Sequence, residues 1–222
     1  MKLRHEWKHE INMSDYIVLR QRLSTVMQYD EHYQSGKYEI RSLYFDNLYD
    51  KALMEKINGV SKREKFRIRL YNSDESFISL EKKTKIGGLT NKQSNILTAD
   101  EARMLSQGSY EGIEVGDRAV LLELIEKMKT QGLMPKTIVD YTREAFVYAP
   151  GNVRVTLDYN IRTGMYSTDL LNSESITVPA GNAIILEVKW DEFLPDIIRD
   201  IVQLTGRQSS PFSKYAACRI YG

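Results

Sequence analysis

Three cationic side chains recur at every second position within one short segment of the chain. In residues 65–70 they are Lys65, Arg67 and Arg69, and the positions between them are apolar. A β-strand points successive side chains to opposite faces, so these three cations share one face. Ammonium and guanidinium groups held this close repel one another unless an anion lies between them, and both suit phosphate oxygens. The segment is consistent with a basic strand face in solvent or with a phosphate-binding wall.

Four other segments repeat the layout, with ionisable residues at alternate positions opposite apolar ones. The residues that share a face in each segment are Arg4, Glu6, Lys8 and Glu10; Phe77, Ser79, Glu81 and Lys83; Arg154, Thr156 and Asp158; and Glu187 and Lys189. Solvent-exposed strands more often mix Lys, Glu, Thr and Ser than repeat arginine on one face. If the sheet closes with its apolar faces outward, the charged faces line a tunnel that matches a linear chain of phosphates.

The acidic residues among these cations define the metal chemistry that the chain could support. Glu6, Glu81 and Glu187 could hold a hard divalent ion that bridges phosphate oxygens. For Glu81, an internal salt bridge that spaces the lysines is an equally good interpretation. In the same way, Glu187 could simply pair with Lys189 or an arginine.

The composition fits one globular domain over residues 1–222. The 222 residues are 42% hydrophobic and 27% charged, with a formal net charge of +1. These values exclude a mainly disordered chain and a globally basic nucleic-acid binder. Cys218 is the sole cysteine, which excludes an intrachain disulfide framework and cysteine-based zinc clusters. Because the N-terminus is charged and no apolar stretch reaches about 18–20 residues, we expect a soluble cytoplasmic protein without direct membrane insertion.

Period-2 alternation dominates the secondary-structure signal, and tight turns such as Gly87-Gly88 and Pro150-Gly151 favour antiparallel pairing. The predicted strands lie near residues 2–12, 38–46, 63–72, 76–85, 91–98, 136–148, 152–160 and 182–190, and the predicted helices near 14–29, 49–57, 99–106, 117–131 and 195–205. Eight antiparallel strands can form a sandwich, an open sheet or a closed barrel. The charged line on five strands favours an α+β fold with a closed eight-stranded antiparallel β-barrel and helices packed outside.

Seven motifs follow one another over nearly the whole chain. They are Arg41-Ser42-Leu43-Tyr44-Phe45-Asp46, Lys65-x-Arg67-x-Arg69, Leu80-Glu81-Lys82-Lys83, Arg143, Arg154-x-Thr156-x-Asp158, Leu186-Glu187-Val188-Lys189 and Ser213-Lys214-Tyr215. Together they resemble the VTC domain, the polyphosphate polymerase domain of the triphosphate-tunnel, CYTH-like superfamily. The resemblance implies an eight-stranded tunnel and an enzyme that moves the terminal phosphoryl group of ATP onto a growing polyphosphate chain, with Mn²⁺ or Mg²⁺ as cofactor.

Motif position and strand parity together give three sets of predicted site residues. Those predicted to be catalytic are Arg67, Arg69, Lys83, Arg154, Lys189 and Glu187. Those predicted to bind substrate are Lys8, Arg41, Tyr44, Lys65, Lys92, Arg143 and Lys214. Those predicted to hold the metal are Glu187, Glu6 and Glu81. The related CYTH branch begins with Glu-x-Glu-x-Lys, and Arg4 here replaces the first glutamate, which favours the VTC branch.

The residues leave the reaction open between transfer and hydrolysis. If water enters in place of the acceptor phosphate, the same site is a triphosphatase or polyphosphatase. A polyanion-binding module without catalysis would need only the cations. The 14 tyrosines could stack bases, but no RNP-like aromatic pair lies on a basic strand, so we expect no nucleic-acid partner. The expected partners are ATP or another triphosphate and polyphosphate, with a separate membrane partner for the product left open.

Overall fold

Ten antiparallel strands form one curled sheet within residues 4–30, 36–204 and 212–219, which are the residues that the computed structural model describes. The strands are β1 His5–Ile11, β2 Gln28–Tyr29, β3 Lys37–Asp46, β4 Arg63–Tyr71, β5 Asp74–Ile86, β6 Leu89–Leu97, β7 Met134–Tyr148, β8 Val153–Thr163, β9 Val178–Pro179 and β10 Ile184–Trp190. Eight of them follow the order β1-β10-β8-β7-β3-β4-β5-β6, while β2 pairs with β7 and β9 with β8. The predicted α+β class and antiparallel pairing are confirmed.

Six helices accompany the sheet in the described part of the chain. They are α1 Met13–Val26, α2 Lys51–Ile57, α3 Ala99–Ser106, α4 Ala119–Gln131, α5 Asp196–Val202 and α6 Lys214–Arg219. Asn12 and Thr98 begin α1 and α3 with capping boxes, in which the acid three residues later returns the hydrogen bond. None of the described helices has the length and apolar character that a membrane span requires. The sequence did not predict α6, because six residues are too few for a periodic pattern.

Alternation along the strands turns the apolar side chains outward, beneath the helices. Two clusters lie on this outer face. In the first, Phe66 of β4 is buried with Leu124 of α4. In the second, Val155 of β8 is buried with Leu19 of α1 and Ile198 of α5. Each such side chain contributes about 1.5–3 kcal/mol by leaving water. The expected packing of helices on the apolar outer face is confirmed for α1, α3, α4 and α5.

Two-residue turns join β4 to β5 and β5 to β6. Asn72 and Ser73 have φ values of 49° and 57°, and Gly87 and Gly88 have φ values of 56° and 89°. Positive φ at both central residues gives the turn a twist that matches a β-hairpin. The β4–β5 register shifts between Tyr71 and Arg69, and beyond that shift Lys65 pairs with Lys83 and Arg67 with Glu81. Charged residues of these neighbouring strands therefore face the same side of the sheet.

The sheet forms a half-barrel, which corrects the prediction of a closed eight-stranded barrel. Over the described residues, β1 and β6 meet at one isolated bridge, between Arg4 and Thr90, where a closed barrel would have a ladder. Only Leu97 is buried among the residues of β6. A strand without an apolar face is weakly held in register against a new neighbour. The line where β1 meets β6, hereafter the seam, is crossed by side chains, since Lys83 donates to Glu6 at 3.2 Å.

Candidate active site

The concave face of the sheet surrounds a cavity of about 670 Å³. Eleven Lys and Arg side chains line it, against four Asp and Glu side chains. The cations are Arg4, Lys8, Lys65, Arg67, Arg69, Lys83, Lys92, Arg143, Arg154, Lys189 and Lys214. Such an excess of one charge in a confined space is unfavourable alone and attracts a polyanion strongly. A chain whose net charge is +1 therefore folds into a strongly cationic interior.

Thirteen of the fifteen predicted site residues line this cavity, and the exceptions are Arg41 and Glu6. Glu6 lines an adjoining cavity of about 240 Å³. Both cavities are lined by Lys8, Lys65 and Lys83, so Glu6 remains next to the main site.

Arg41 faces away from the cavity, so the structure corrects its predicted substrate contact. Its guanidinium donates to the two carboxylate oxygens of Asp140 on β7, at 3.0 and 2.9 Å, and to the carbonyl oxygen of Asn172. Arg41 and Tyr44 are three positions apart on β3, and residues an odd number apart lie on opposite faces of a strand. Tyr44 takes the inner face.

Glu187 of β10 and Glu6 of β1 form a carboxylate pair surrounded by lysines. The two side chains share two ammonium groups, because Lys8 Nζ lies 3.5 and 3.6 Å from Glu6 and Glu187 and Lys189 Nζ lies 3.7 and 2.9 Å from them. Lys83 Nζ is 3.2 Å from Glu6. Burial opposes the charge of Glu187, but Lys189 and Lys8 outweigh it and hold the pKa of that carboxyl well below its usual range.

Glu81 of β5 has guanidinium partners instead. Its Oε2 accepts from Arg67 Nε at 2.7 Å and lies 3.8 Å from Arg69, and its Oε1 accepts from Lys92 at 3.1 Å. Burial opposes the charge here too, and Arg67 and Arg69 outweigh it and hold the pKa of Glu81 well below its usual range. Because both oxygens are engaged, Glu81 acts as a counter-ion, in line with the salt-bridge interpretation.

Glu6 and Glu187 are the two neighbouring carboxylates of the cavity region that could hold a divalent metal together. No group of three or more His, Cys, Asp or Glu side chains within the described ranges could hold a metal ion. This corrects the expectation that Glu81 belongs to the same metal site. Two carboxylates fit Mg²⁺ or Mn²⁺, because such ions commonly take one or two carboxylates and complete their coordination with phosphate oxygens and water.

Two further acids orient cations on the remaining wall. Asp158 accepts from Arg143 Nε at 2.6 Å and from Lys214 Nζ at 2.5 Å. Against the effect of burial, Arg143 and Lys214 lower the pKa of Asp158 to about 2. Asp30 lies 2.7 Å from Arg154. The cations of these pairs were predicted from the sequence, but Asp30 was not, because it is remote from Arg154 in the chain and carries no motif.

Lys65 of β4 is the least compensated cation of the cavity. Its Nζ lies 5.3 Å from the centre of the Tyr44 ring, and it forms no ion pair with a carboxylate of the described residues. Burial, followed by the nearby Arg67 and Lys8, lowers the pKa of Lys65 to about 8. Burial and Lys8 likewise lower the pKa of Lys83 well below its usual range. Added negative charge would be most favourable beside these two amines.

Three tyrosine hydroxyls each hold one of the five arginines that line the cavity. Each accepts from a guanidinium at 2.9 Å: Tyr38 from Arg154, Tyr44 from Arg67, and Tyr141 from Arg69. Of these three tyrosines, only Tyr44 was predicted from the sequence as a site residue. The parity of β3 could have added Tyr38, which is an even number of positions from Tyr44, and Tyr141 is two positions before Arg143.

Comparison with known proteins places this geometry in a family. A family model of the VTC domain matches residues 3–220. A search of curated proteins finds no match. The fold is similar to that of HpAC1 from Hippeastrum, a candidate adenylyl cyclase described as having a dominant triphosphatase activity, with TM-score 0.55, 14% identity and coverage of 100% of this chain and 96% of that one.

A candidate adenylate cyclase from Bacillus halodurans is similar as well, with TM-score 0.51, 13% identity and coverage of 85% of this chain and 80% of that one. At such identities the two structures establish a shared fold. The assignment rests on the family model, because that model spans almost the whole chain. The predicted resemblance to the VTC domain is thereby confirmed. The chain belongs to the VTC domain family.

Proposed function

We propose that the protein transfers the terminal phosphoryl group of ATP to a polyphosphate chain held in the cationic cavity. The observation that carries this proposal is the convergence of eleven cations on one cavity beside the carboxylate pair Glu6 and Glu187. Each charge-assisted hydrogen bond to phosphate contributes about 1.5–3 kcal/mol. A lone phosphate can engage only a few of these cations, whereas a linear chain can engage many. Membership of the VTC domain family supports the same reaction.

Four cations are proposed to hold the nucleotide triphosphate: Arg67, Arg69, Arg154 and Lys189. Arg69 is 4% exposed, and the hydroxyls of Ser42 and Tyr141 fix its guanidinium at 3.0 and 2.9 Å. A group that is already oriented does not have to reorganise as charge develops during the reaction. Phosphoryl transfer depends mainly on such positioning and charge neutralisation. The nucleophile is a terminal oxygen of the acceptor chain.

Glu187, with Glu6 beside it, is the proposed carboxylate ligand of Mn²⁺ or Mg²⁺. A bound ion would neutralise charge on the phosphate oxygens that it bridges. Lys8 and Lys189 already contact the two carboxylates. A bound ion would compete with these two lysines for the carboxylate oxygens, which would leave their ammonium groups available to phosphate.

Incubation with ATP and Mn²⁺ or Mg²⁺, followed by gel electrophoresis of the product, tests the proposal. A ladder of polyphosphate chains is expected. Orthophosphate without chains would reject the polymerase and support the second candidate, a triphosphatase. The dominant triphosphatase activity described for HpAC1 favours this candidate because the fold is shared.

A third candidate is a polyanion-binding module, for which the cations alone suffice. Tight polyphosphate binding without turnover under any divalent metal would support it. The cytoplasmic location and a membrane partner for the product stay predictions.

A further inference from the structure

Tyr44 lies on β3 with its hydroxyl fixed among cations. The side chain is 2% exposed and lines the cavity. Its oxygen accepts from Arg67 Nη1 at 2.9 Å, and Lys65 Nζ lies 5.3 Å from the ring centre. The ring stacks on Tyr215 of α6 at 4.9 Å, and the Tyr215 hydroxyl donates to Asp46 at 2.9 Å. The stacked partner thus holds the Tyr44 ring without contacting its oxygen.

The groups that face Tyr44 carry positive charge or none. β4 contributes Lys65, Arg67 and Arg69, β7 contributes Thr137 opposite Tyr44 in the ladder, and α6 contributes the ring of Tyr215. Within the described residues no carboxylate contacts the hydroxyl, and Glu81 reaches it only through Arg67. Burial opposes ionisation, but Arg67, Lys65 and Arg69 outweigh it and lower the pKa of Tyr44 to about 7.

The other two cavity tyrosines that bind arginine are better balanced by acids. Tyr38 accepts from Arg154, which also contacts Asp30, and burial raises the pKa of Tyr38. Around Tyr141, the neighbouring Arg143 and Lys214 both donate to Asp158. Tyr44 differs because Lys65 beside it forms no ion pair with a described carboxylate.

Transfer and hydrolysis differ in their need for a base. The terminal oxygen of a polyphosphate acceptor is already ionised near neutral pH, whereas an attacking water must lose a proton. The glutamates cannot easily supply the base, because Glu81 is bound to Arg67 and Lys92 and the carboxylate pair is assigned to metal. A phosphoryl group bound by Arg67 and Lys65 would lie next to the Tyr44 oxygen, since both cations contact that residue.

We propose that Tyr44 is a catalytic base that takes a proton from water, so that the protein also hydrolyses the terminal phosphate of a bound triphosphate or polyphosphate. This rests on the function proposed for the cavity. A bond forms between the water oxygen and the terminal phosphorus, and the bond from that phosphorus to the bridging oxygen breaks. The electron pair stays on the bridging oxygen of the departing chain, and the water proton passes to the Tyr44 oxygen, from which it returns to solvent.

The variant Tyr44→Phe tests the assignment, with tripolyphosphate and Mn²⁺ for hydrolysis and ATP with a polyphosphate primer for chain growth. Loss of a general base lowers a rate by about 10²-fold or more. We expect orthophosphate release to fall by about that factor more than chain growth does, because both activities lose the hydroxyl that fixes Arg67 and only hydrolysis loses the base. In the wild type, kcat/KM for hydrolysis should rise with pH up to about 7 and then level off, and in the variant this dependence should disappear.

Tyr141→Phe is the matched control, because it removes the equivalent hydroxyl from Arg69 in the same cavity. It should change the two activities in parallel and keep the pH dependence of hydrolysis. If Tyr44→Phe lowered both activities equally and kept the pH profile, Tyr44 would only position Arg67 and the inference would be overturned.

An optical titration gives a readout that does not depend on activity. The wild-type phenolate absorbance, from which that of Tyr44→Phe is subtracted, should show one tyrosine that ionises near neutral pH, whereas a free tyrosine does so near pH 10. Absence of this early step would overturn the inference. A wild type that hydrolyses tripolyphosphate without building chains would refute the polymerase and leave Tyr44 to be judged on hydrolysis alone.

Discussion

Two walls of the cavity each carry a buried glutamate among cations, but the partners differ. On the Glu187 wall, formed by β1 and β10, Glu187 lies beside Glu6 and is 2.9 Å from the ammonium of Lys189. On the Glu81 wall, formed by β4 and β5, two nitrogens of Arg67 contact Glu81 at 2.7 and 2.6 Å. A planar guanidinium holds a carboxylate more directionally than an ammonium group does. The same residue type is thus the proposed metal ligand on one wall and a counter-ion on the other.

The largest expected effect is the loss of turnover in Glu187→Gln. The substitution keeps the shape and removes the charge that would hold the metal, which supplies several kcal/mol of transition-state stabilisation. Phosphoryl transfer should fall on the order of 10³-fold, while polyphosphate affinity is not weakened. Steady-state kinetics with ATP and Mn²⁺ and a competition assay for polyphosphate measure the two quantities. Retention of more than about a tenth of the turnover would remove the contrast between the walls.

Glu81→Gln should act on stability more than on chemistry. It leaves Arg67 and Arg69 buried without their counter-ion, and removal of one partner of a buried ion pair costs about 3–5 kcal/mol. Denaturant unfolding without anions measures this loss. Tripolyphosphate should restore part of it, because the anion supplies the missing charge to the folded state. An equal loss of stability in Glu187→Gln would show that the two glutamates have the same role.

Acid pH should reveal a smaller difference between the Glu81 wall and the Glu187 wall, in the free energy of unfolding. Glu81 and Glu187 both have a folded-state pKa well below the ordinary value of 4.5. Their stabilising contribution is therefore present above pH 4.5 and is lost as the pH falls toward the folded pKa. The free energy of unfolding should decrease below that pH in the wild type and decrease less steeply in Glu81→Gln. An unchanged slope in this variant would contradict the assignment of Glu81 as a counter-ion.

The smallest expected effect concerns Lys65 on the Glu81 wall. Its pKa of about 8 means that the amine is charged below that pH and becomes neutral above it. Binding of tripolyphosphate should restore the charge by taking up a proton, so this amine should make the Kd rise by up to about tenfold per pH unit above pH 8. Calorimetry in buffers of different ionisation enthalpy measures the proton uptake. Lys65→Met should bind more weakly at pH 7 and lose this dependence.

Strand alternation predicted much of the site. The segment 63–72 was predicted as a strand and the structure has β4 at Arg63–Tyr71, with Lys65, Arg67 and Arg69 facing inward. Parity assigns a side chain to one of two faces, and the apolar residues decide which face is outside. The same rule would have excluded Arg41, which is an odd number of positions from Tyr44.

Contacts across the cavity were beyond the sequence. The pairs of Asp30 with Arg154 and of Asp158 with Lys214 join elements far apart in the chain, and alternation does not say which residues meet. The prediction of a closed barrel was wrong for a related reason. A closed barrel requires its two edge strands to pair with each other in a continuous ladder. The edge strand β6 lacks the apolar face that would fix its register against β1.

The seam has a mechanical consequence. Over its described length β6 is hydrogen-bonded to β5 and touches β1 at one bridge, so separation of this edge costs fewer bonds than opening of any ladder in the sheet. The wall of the cavity is therefore open along one line, between β1 and β6. We expect a long polyphosphate chain to enter the cavity laterally through the seam, without threading from one end.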